Sequence, residues 1–248
     1  PDVVVEGGDM VDGRDKQERN IYPVVLGFFD KLKAPHYHIA GNHETRGFYK
    51  KDWLEFTGYE KPYYFQDIKD YRLIFLDGNN KMTAQGEVVD TSPELHFYPG
   101  YLDPEQRKWL EETLKTADEK EIIVFVHQPP LEKTLVKESK ELFIDGEDLR
   151  KMLAEYGVKA VISGHIEEMC YIKENGVDYY TLQGVHKVNR QFLEEDAFKD
   201  QGSFYQITVD EDQNLEIRMF HKDKEDLKYN SFVVNQETAV CNNESIQN

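Results

Sequence analysis

The sequence predicts an α/β fold in which parallel strand and helix units come first and an antiparallel meander closes the chain. Three observations predict it. Residues 3–5 are a Val-Val-Val run that stops at Gly7-Gly8-Asp9, residues 16–33 carry apolar side chains at helical intervals, and residues 36–40 are a second short run that stops at Gly41-Asn42. Strand, helix, strand is the βαβ pattern. It continues with a strand over 121–126, a helix over 147–156 and a strand over 158–163. Segments 169–173, 179–183, 204–209 and 215–220 then read as meandering strands, the last pair turning at 210–214.

Each element has its own warrant. Residues 3–5 lack polar alternation, as in a strand buried on both faces. Ile21, Val24, Val25, Phe28, Phe29 and Leu32 supply the helical stripe, with Pro23 at a first turn or a kink. A short helix is expected over 50–56, and residues 63–65 and 72–77 read as a hairpin or neighbouring strands. Residues 79–100 show little periodicity and exceed the usual loop length, so the expectation there is either a lid or binding insertion or a disordered stretch. Asp103-Pro104 opens a helix running to 116, an N-cap followed by proline at the first helical position, with Trp109, Leu110 and Leu114 as its apolar face. One domain is expected over 1–221. An Asn-, Gln- and charge-rich surface tail is expected over 222–248.

Composition narrows the partners. Among 248 residues, 48 are acidic and 30 basic, a net charge of −18 that repels polyanions at long range and argues against wrapping nucleic acid. A small phosphorylated ligand stays compatible with it, because a bound divalent cation can reverse the local potential. No apolar run approaches the roughly 20 residues that span a bilayer. Cys170 and Cys241 have no metal-type spacing, and a disulfide between them is left open. The compartment is open too: cytoplasmic, or exported if an upstream signal exists.

The chemistry-bearing residues sit where apolar runs stop. Gly8-Asp9-Met10-Val11-Asp12, Gly41-Asn42-His43-Glu44, His127 after residues 122–126, and Gly164-His165-Ile166-Glu167 after residues 158–163 all follow this rule. A buried strand is a rigid base, and ligands of open α/β sheets bind at its carboxyl end. Asp9, Asn42, His127 and His165 offer two oxygens and two imidazole nitrogens, a set suited to Mn, Fe or Zn rather than Ca or Mg. Other candidates are Arg14 and Arg46 as phosphate clamps, and Phe97, Tyr98 and Tyr101 as stacking groups. His186 could reach the site from a strand end, and His36 and His38 either straddle their strand or share one face.

Taken together, Gly8-Asp9-x-x-Asp12, Gly41-Asn42-His43-Glu44, His127 and Gly164-His165 resemble the calcineurin-like metallophosphoesterase superfamily, over roughly residues 1–221. Residues Tyr101-Leu102-Asp103, Gln106 and Trp109-Leu110-Glu111, on the approach to the strand bearing His127, resemble it as well. The resemblance implies a β-sandwich flanked by helices, with divalent metals at the strand ends. It implies a phosphoesterase acting on a phosphomonoester, phosphodiester or nucleotide diphosphate by attack of metal-activated water. By the same resemblance Asp9 would bridge two metals, while Asn42, His127 and His165 would complete the second metal's shell. His43 would face the substrate, contacting phosphoryl oxygen or protonating the leaving group, with Glu44 or another acid orienting its ring.

Two departures fall on the first metal. The family's leading Asp-x-His motif has no counterpart here, so the N-terminal strand is expected to be missing from this sequence. Glu167 stands where the family's Gly-His-x-His motif has its last histidine, and it is carried as an oxygen ligand. Two metals are expected if an upstream Asp-x-His exists, otherwise one. The competing expectation is a catalytically impaired domain that serves as a binding or scaffold module.

Overall fold

The computed structural model describes residues 1–15, 17–96, 99–132, 142–166, 169–184, 203–222 and 229–235. Its strands are β1 (Val4–Glu6), β2 (His36–His38), β3 (Tyr64–Ile68), β4 (Tyr71–Leu76), β5 (Asn80–Met82), β6 (Val88–Asp90), β7 (Glu121–Val126), β8 (Ala160–Ser163), β9 (Cys170–Glu174), β10 (Val177–Thr181), β11 (Ser203–Val209), β12 (Leu215–Lys222) and β13 (Tyr229–Val233). Its helices are α1 (Glu18–Phe29), α2 (Asn42–Gly47), α3 (Lys50–Thr57), α4 (Pro104–Lys115) and α5 (Gly146–Glu155).

Strands β4, β7, β8 and β10 run parallel at the centre of a six-stranded sheet ordered β3-β4-β7-β8-β10-β9, with antiparallel strands at both edges. Side chains alternate between faces along each strand, which sorts the apolar residues into two cores. Ile74, Leu76, Val124, Val126, Val161 and Tyr179 pack with Leu110 and Leu114 of α4 and Leu149 and Leu153 of α5. Leu73, Phe75, Ile123, Phe125, Ile162 and Tyr180 share the second core with Val3, Val5, Ile39, Ile217 and Met219. That second core lies between sheets, because β1 pairs parallel with β2 while β11, β12 and β13 form an antiparallel sheet. A one-residue slip of β7 would exchange these sets, and each fully buried Leu, Ile or Val is worth about 1.5–3 kcal/mol, so the register is strongly specified.

A third core gathers Tyr22 and Leu26 of α1, Trp53 of α3, Phe48, Val11 and Ala40. Trp53 Nε1 donates to the Tyr22 hydroxyl at 2.8 Å, satisfying the one polar atom of a fully buried indole. The result is a β-sandwich with helices on its flanks, the expected architecture. Strand β2 shows how it is layered. Tyr37 meets Phe75 of the six-stranded sheet at 5.3 Å between ring centroids, whereas His36 and His38 turn to Phe29 of α1 at 5.9 and 4.9 Å. The two histidines therefore share one face, Nδ1 of His36 lying 2.8 Å from Nε2 of His38.

Two stretches differ from expectation. Residues 79–100 contain the antiparallel pair β5 and β6, fastened by Lys50. Its Nζ is 2.7 Å from Asp77 Oδ2 and donates to the Asn79 carbonyl and Asn80 Oδ1 at 3.1 and 3.0 Å. A buried ammonium needs this paired surrounding, and α3 supplies it from outside the loop, where no local periodicity could show it. Strand β13 lies within the stretch expected to drape the surface. It pairs with β12 from Arg218↔Val233 to Lys222↔Tyr229, using a backbone edge that polar composition does not forbid.

Candidate metal centre and active site

All four residues proposed from sequence as the principal metal ligands lie just beyond the carboxyl ends of parallel strands. Asp9 follows β1, Asn42 opens α2 after β2, His127 follows β7 and His165 follows β8. Asp9, His127 and His165 each bring one ligand atom to within 4.8 Å of the others. Asn42 joins them, its Oδ1 lying 2.8 Å from His165 Nδ1. Asp9 and His165 hold left-handed backbone, φ 60° and 74°, an uncommon conformation for non-glycine residues that aims their side chains inward here.

Glycine makes the close approach possible. At Gly8, φ is +88°, and a Cβ would stand 2.6 Å from the Gly41 nitrogen and 2.7 Å from His127 Nδ1. At Gly41 a Cβ would collide with the Asp9 carboxylate. Any larger residue would push the β1 and β2 loops apart.

Glu44 joins those loops from within. Its Oε2 accepts the N–H groups of Asp9 and Gly41 at 2.8 and 2.7 Å, and its Oε1 those of Met10 and Val11 at 2.7 and 3.3 Å. Burial, then the nearby Asp9 and Glu6 charges, push its carboxyl up to about 8 against the pull of these donors. Of the acids expected to orient His43, this excludes Glu44, whose two carboxylate oxygens are committed to backbone, which motif spacing alone could not reveal; the acid beside the ring is Asp12, with Oδ1 3.5 Å from His43 Nδ1.

His127 is 2 % exposed, with Nδ1 2.7 Å from the Gly7 carbonyl. That contact makes Nδ1 the donor and leaves Nε2 facing Asp9 Oδ2 at 3.0 Å, in a direction that makes no hydrogen bond. Burial lowers the His127 pKa, but attraction to Asp9 outweighs it and brings the imidazole to about 9. The reciprocal effect holds Asp9 well below the usual carboxylate range: burial would raise it, and His127 followed by His43 overcome this. A carboxylate and two imidazoles converging beside a buried Nε2 without a hydrogen-bond partner fit a divalent cation, whose binding would displace the His127 proton.

His43 stands beside this cluster, Nε2 3.9 Å from Asp9 Oδ2, while its backbone N–H donates to Asp9 Oδ1 at 2.8 Å. Its pKa is lowered by burial first and by Arg46, against the attraction of Asp9 and Asp12. Arg46 lies against Asp12 and His43, whereas Arg14 is an exposed partner of Asp12 at 3.5 Å. Sequence reasoning passed over His96, whose pKa is lowered by burial and then by Arg46 and His43, which places it near the same corner. Its position in the long aperiodic stretch was the available signal. Tyr101 is buried in the core. Glu167, His186, Phe97 and Tyr98 lie outside the described residues.

The fold places Asp9, His127 and His165 where their ligand atoms could hold a cation together. A sequence profile described as calcineurin-like phosphoesterase matches residues 1–169, and the chain belongs to that family. A probable glycerophosphodiester phosphodiesterase from Arcobacter nitrofigilis is 26 % identical, over 68 % of this chain and 58 % of its own length. The tartrate-resistant acid phosphatase type 5 of Rattus norvegicus is 28 % identical, over 68 % of this chain and 54 % of its own. The chain thus spans little more than half the length of these relatives. Among solved structures, a dimetal phosphatase from Danio rerio shares the fold with a TM-score of 0.64 and 18 % identity, covering 94 % of this chain and 84 % of its own. No helix among the described residues is long and apolar enough to cross a membrane.

Proposed function

We propose that the chain hydrolyses a small phosphodiester, phosphomonoester or nucleotide diphosphate with the help of Mn, Fe or Zn held by Asp9, Asn42, His127 and His165. Glu167 is proposed as a further oxygen ligand. The observation that carries the reading is the convergence of Asp9, His127 and His165 within 4.8 Å at the carboxyl ends of parallel strands. When bound, such a metal supplies an activated water and neutralises charge on the phosphoryl group. The chain's own residues do the rest. Glu44 holds the two loops at a fixed separation, the Gly7 carbonyl sets the His127 tautomer, and His43 presents Nε2 to the phosphoryl or departing oxygen. The names of the relatives, a phosphodiesterase and an acid phosphatase, support ester hydrolysis and favour testing a diester first.

The test is hydrolysis of one diester, one monoester and one nucleotide diphosphate by Mn-loaded protein, with Asp9→Asn and His127→Ala as controls. Turnover that both substitutions abolish is expected. Bound metal with no hydrolysis of any substrate would sink the reading and favour the second one, a metal-binding scaffold. Glu167 in place of histidine motivates that second reading, and Glu167→His separates the two: a weakened ligand predicts a rise in metal stoichiometry and rate, a scaffold no change in rate.

A further inference from the structure

The four proposed ligands come from two sheets. Asp9 and Asn42 follow β1 and β2, which pair with each other, while His127 and His165 follow β7 and β8 of the six-stranded sheet. A cation among them depends on how far apart the two sheets stand at that end. The contact of His165 Nδ1 with Asn42 Oδ1 at 2.8 Å cannot set that distance with metal bound, because a cation would take the Asn42 oxygen. A third strand supplies the tie. Strand β4 ends at Leu76, and Asn79, 1 % exposed, lies buried between the two loops. Its Nδ2 donates to the Ala40 carbonyl at 2.8 Å, just before Asn42, and to Asp77 Oδ1 at 3.0 Å. Its Oδ1 accepts Nε2 of Gln128, the residue after His127, at 3.0 Å.

Chemistry allows this carboxamide one orientation. A carbonyl and a carboxylate, both acceptors, stand on one side, so its two N–H groups must face them and its oxygen must face Gln128. The mounting is rigid. Asp77 Oδ2 lies 2.7 Å from Nζ of Lys50 on α3, and Gln106 of α4 bonds both backbone groups of Asp77 at 2.9 Å. Gln128 is fully buried against Gly78, where a Cβ would collide with its Oε1. We propose that Asn79 is a positioning residue whose one side chain brackets the ends of β2 and β7, and so sets the spacing at which Asn42 and His127 meet a divalent cation. This rests on the metal reading proposed above. None of the bracket's atoms is a proposed ligand, so it stays closed when the site is filled.

Calorimetry of Mn binding reads the bracket directly. Gln128→Met keeps the shape of the side chain and removes its donor. A loss of about ten-fold in Mn affinity is expected, with the metal-free chain still folded by circular dichroism. Unchanged affinity in the folded variant overturns the proposal. Asn79→Leu opens both ends of the bracket and should lose more. Adding Gln128→Met to it should then change affinity by less than about two-fold, because the contact is already gone. Losses that multiply would mean two residues acting separately and would also overturn it. Gly78→Ala guards against misfolding of the polar deletions: it removes no polar group, displaces the Gln128 amide, and should weaken Mn as Gln128→Met does. A purely structural role would lower the melting temperature of the metal-free variants and leave the Mn affinity of the folded chains alone. Mn bound without hydrolysis of any substrate would sink the proposed function and leave the bracket standing, whereas a wild-type chain that binds no Mn would overturn both.

Discussion

The two carboxylates of Glu44 and Asp9 belong to one arrangement with divided labour: Glu44 Oε2 accepts the Asp9 N–H at 2.8 Å, while Asp9 Oδ2 faces His127 Nε2 at 3.0 Å. One acid holds backbone so that the other can hold charge. Glu44→Gln would turn an amide N–H₂ toward two backbone donors and leave them buried and unsatisfied. A loss of about 2–4 kcal/mol is expected, read by urea denaturation of the metal-free chain. A change below about 0.5 kcal/mol would mean that the loops hold themselves.

Metal addition should stabilise the fold through the same cluster. At free Mn one hundred times its dissociation constant, linkage predicts about 2.7 kcal/mol, removed again by a chelator. Asp9→Asn and His127→Ala should each suppress the upward shift in melting temperature. A shift that persists in both would place the binding site elsewhere.

Gly8→Ala tests the close approach. The added Cβ meets the Gly41 nitrogen at 2.6 Å, and the residue must keep φ +88°. A destabilisation of about 3 kcal/mol is expected from left-handed backbone and overpacking combined, with loss of metal binding by calorimetry. Wild-type affinity in this variant would contradict the geometry.

Acid sensitivity should arise far from the site, at Asp67 and Arg72. Arg72 is 6 % exposed, and its Nε and Nη2 lie 2.8 and 2.9 Å from the two Asp67 oxygens, while Nη1 reaches the Thr113 carbonyl on α4. The hydrogen bond from Arg72 depresses the Asp67 pKa, against burial and with added charge attraction. Its folded pKa lies below its unfolded one, so the contribution is present above the ordinary Asp value and is lost as pH falls through the folded value. Asp67→Asn should cost about 1 kcal/mol at neutral pH and flatten this part of the acid limb of the stability profile. An unchanged acid limb would refute the assignment.

The strand ends were legible because each motif follows an apolar run, and a run that stops at Gly-Asp or Gly-Asn has both a buried base and a turning loop that can aim a side chain. The existence of β4 and β7 was legible as apolar runs, but the core each face joins was not, because residues 73–76 and 122–126 are apolar on both faces. His36 and His38 were not: separation by one residue puts them on one face only if β2 stays regular, and only the packing of Phe29 shows which face.

The sequence by itself determined the class of fold, the family resemblance and the candidate donors Asp9, Asn42, His127 and His165, because these follow from local pattern and residue chemistry. Only the tertiary structure decided which neighbour each polar atom serves. Glu44 binds the backbone of the β1 loop, Arg46 pairs with Asp12 of that loop, and Lys50 pins the stretch after β4. Those choices depend on approaches between residues far apart in the chain, and distances of a few ångström across 30 or more positions leave no trace in spacing.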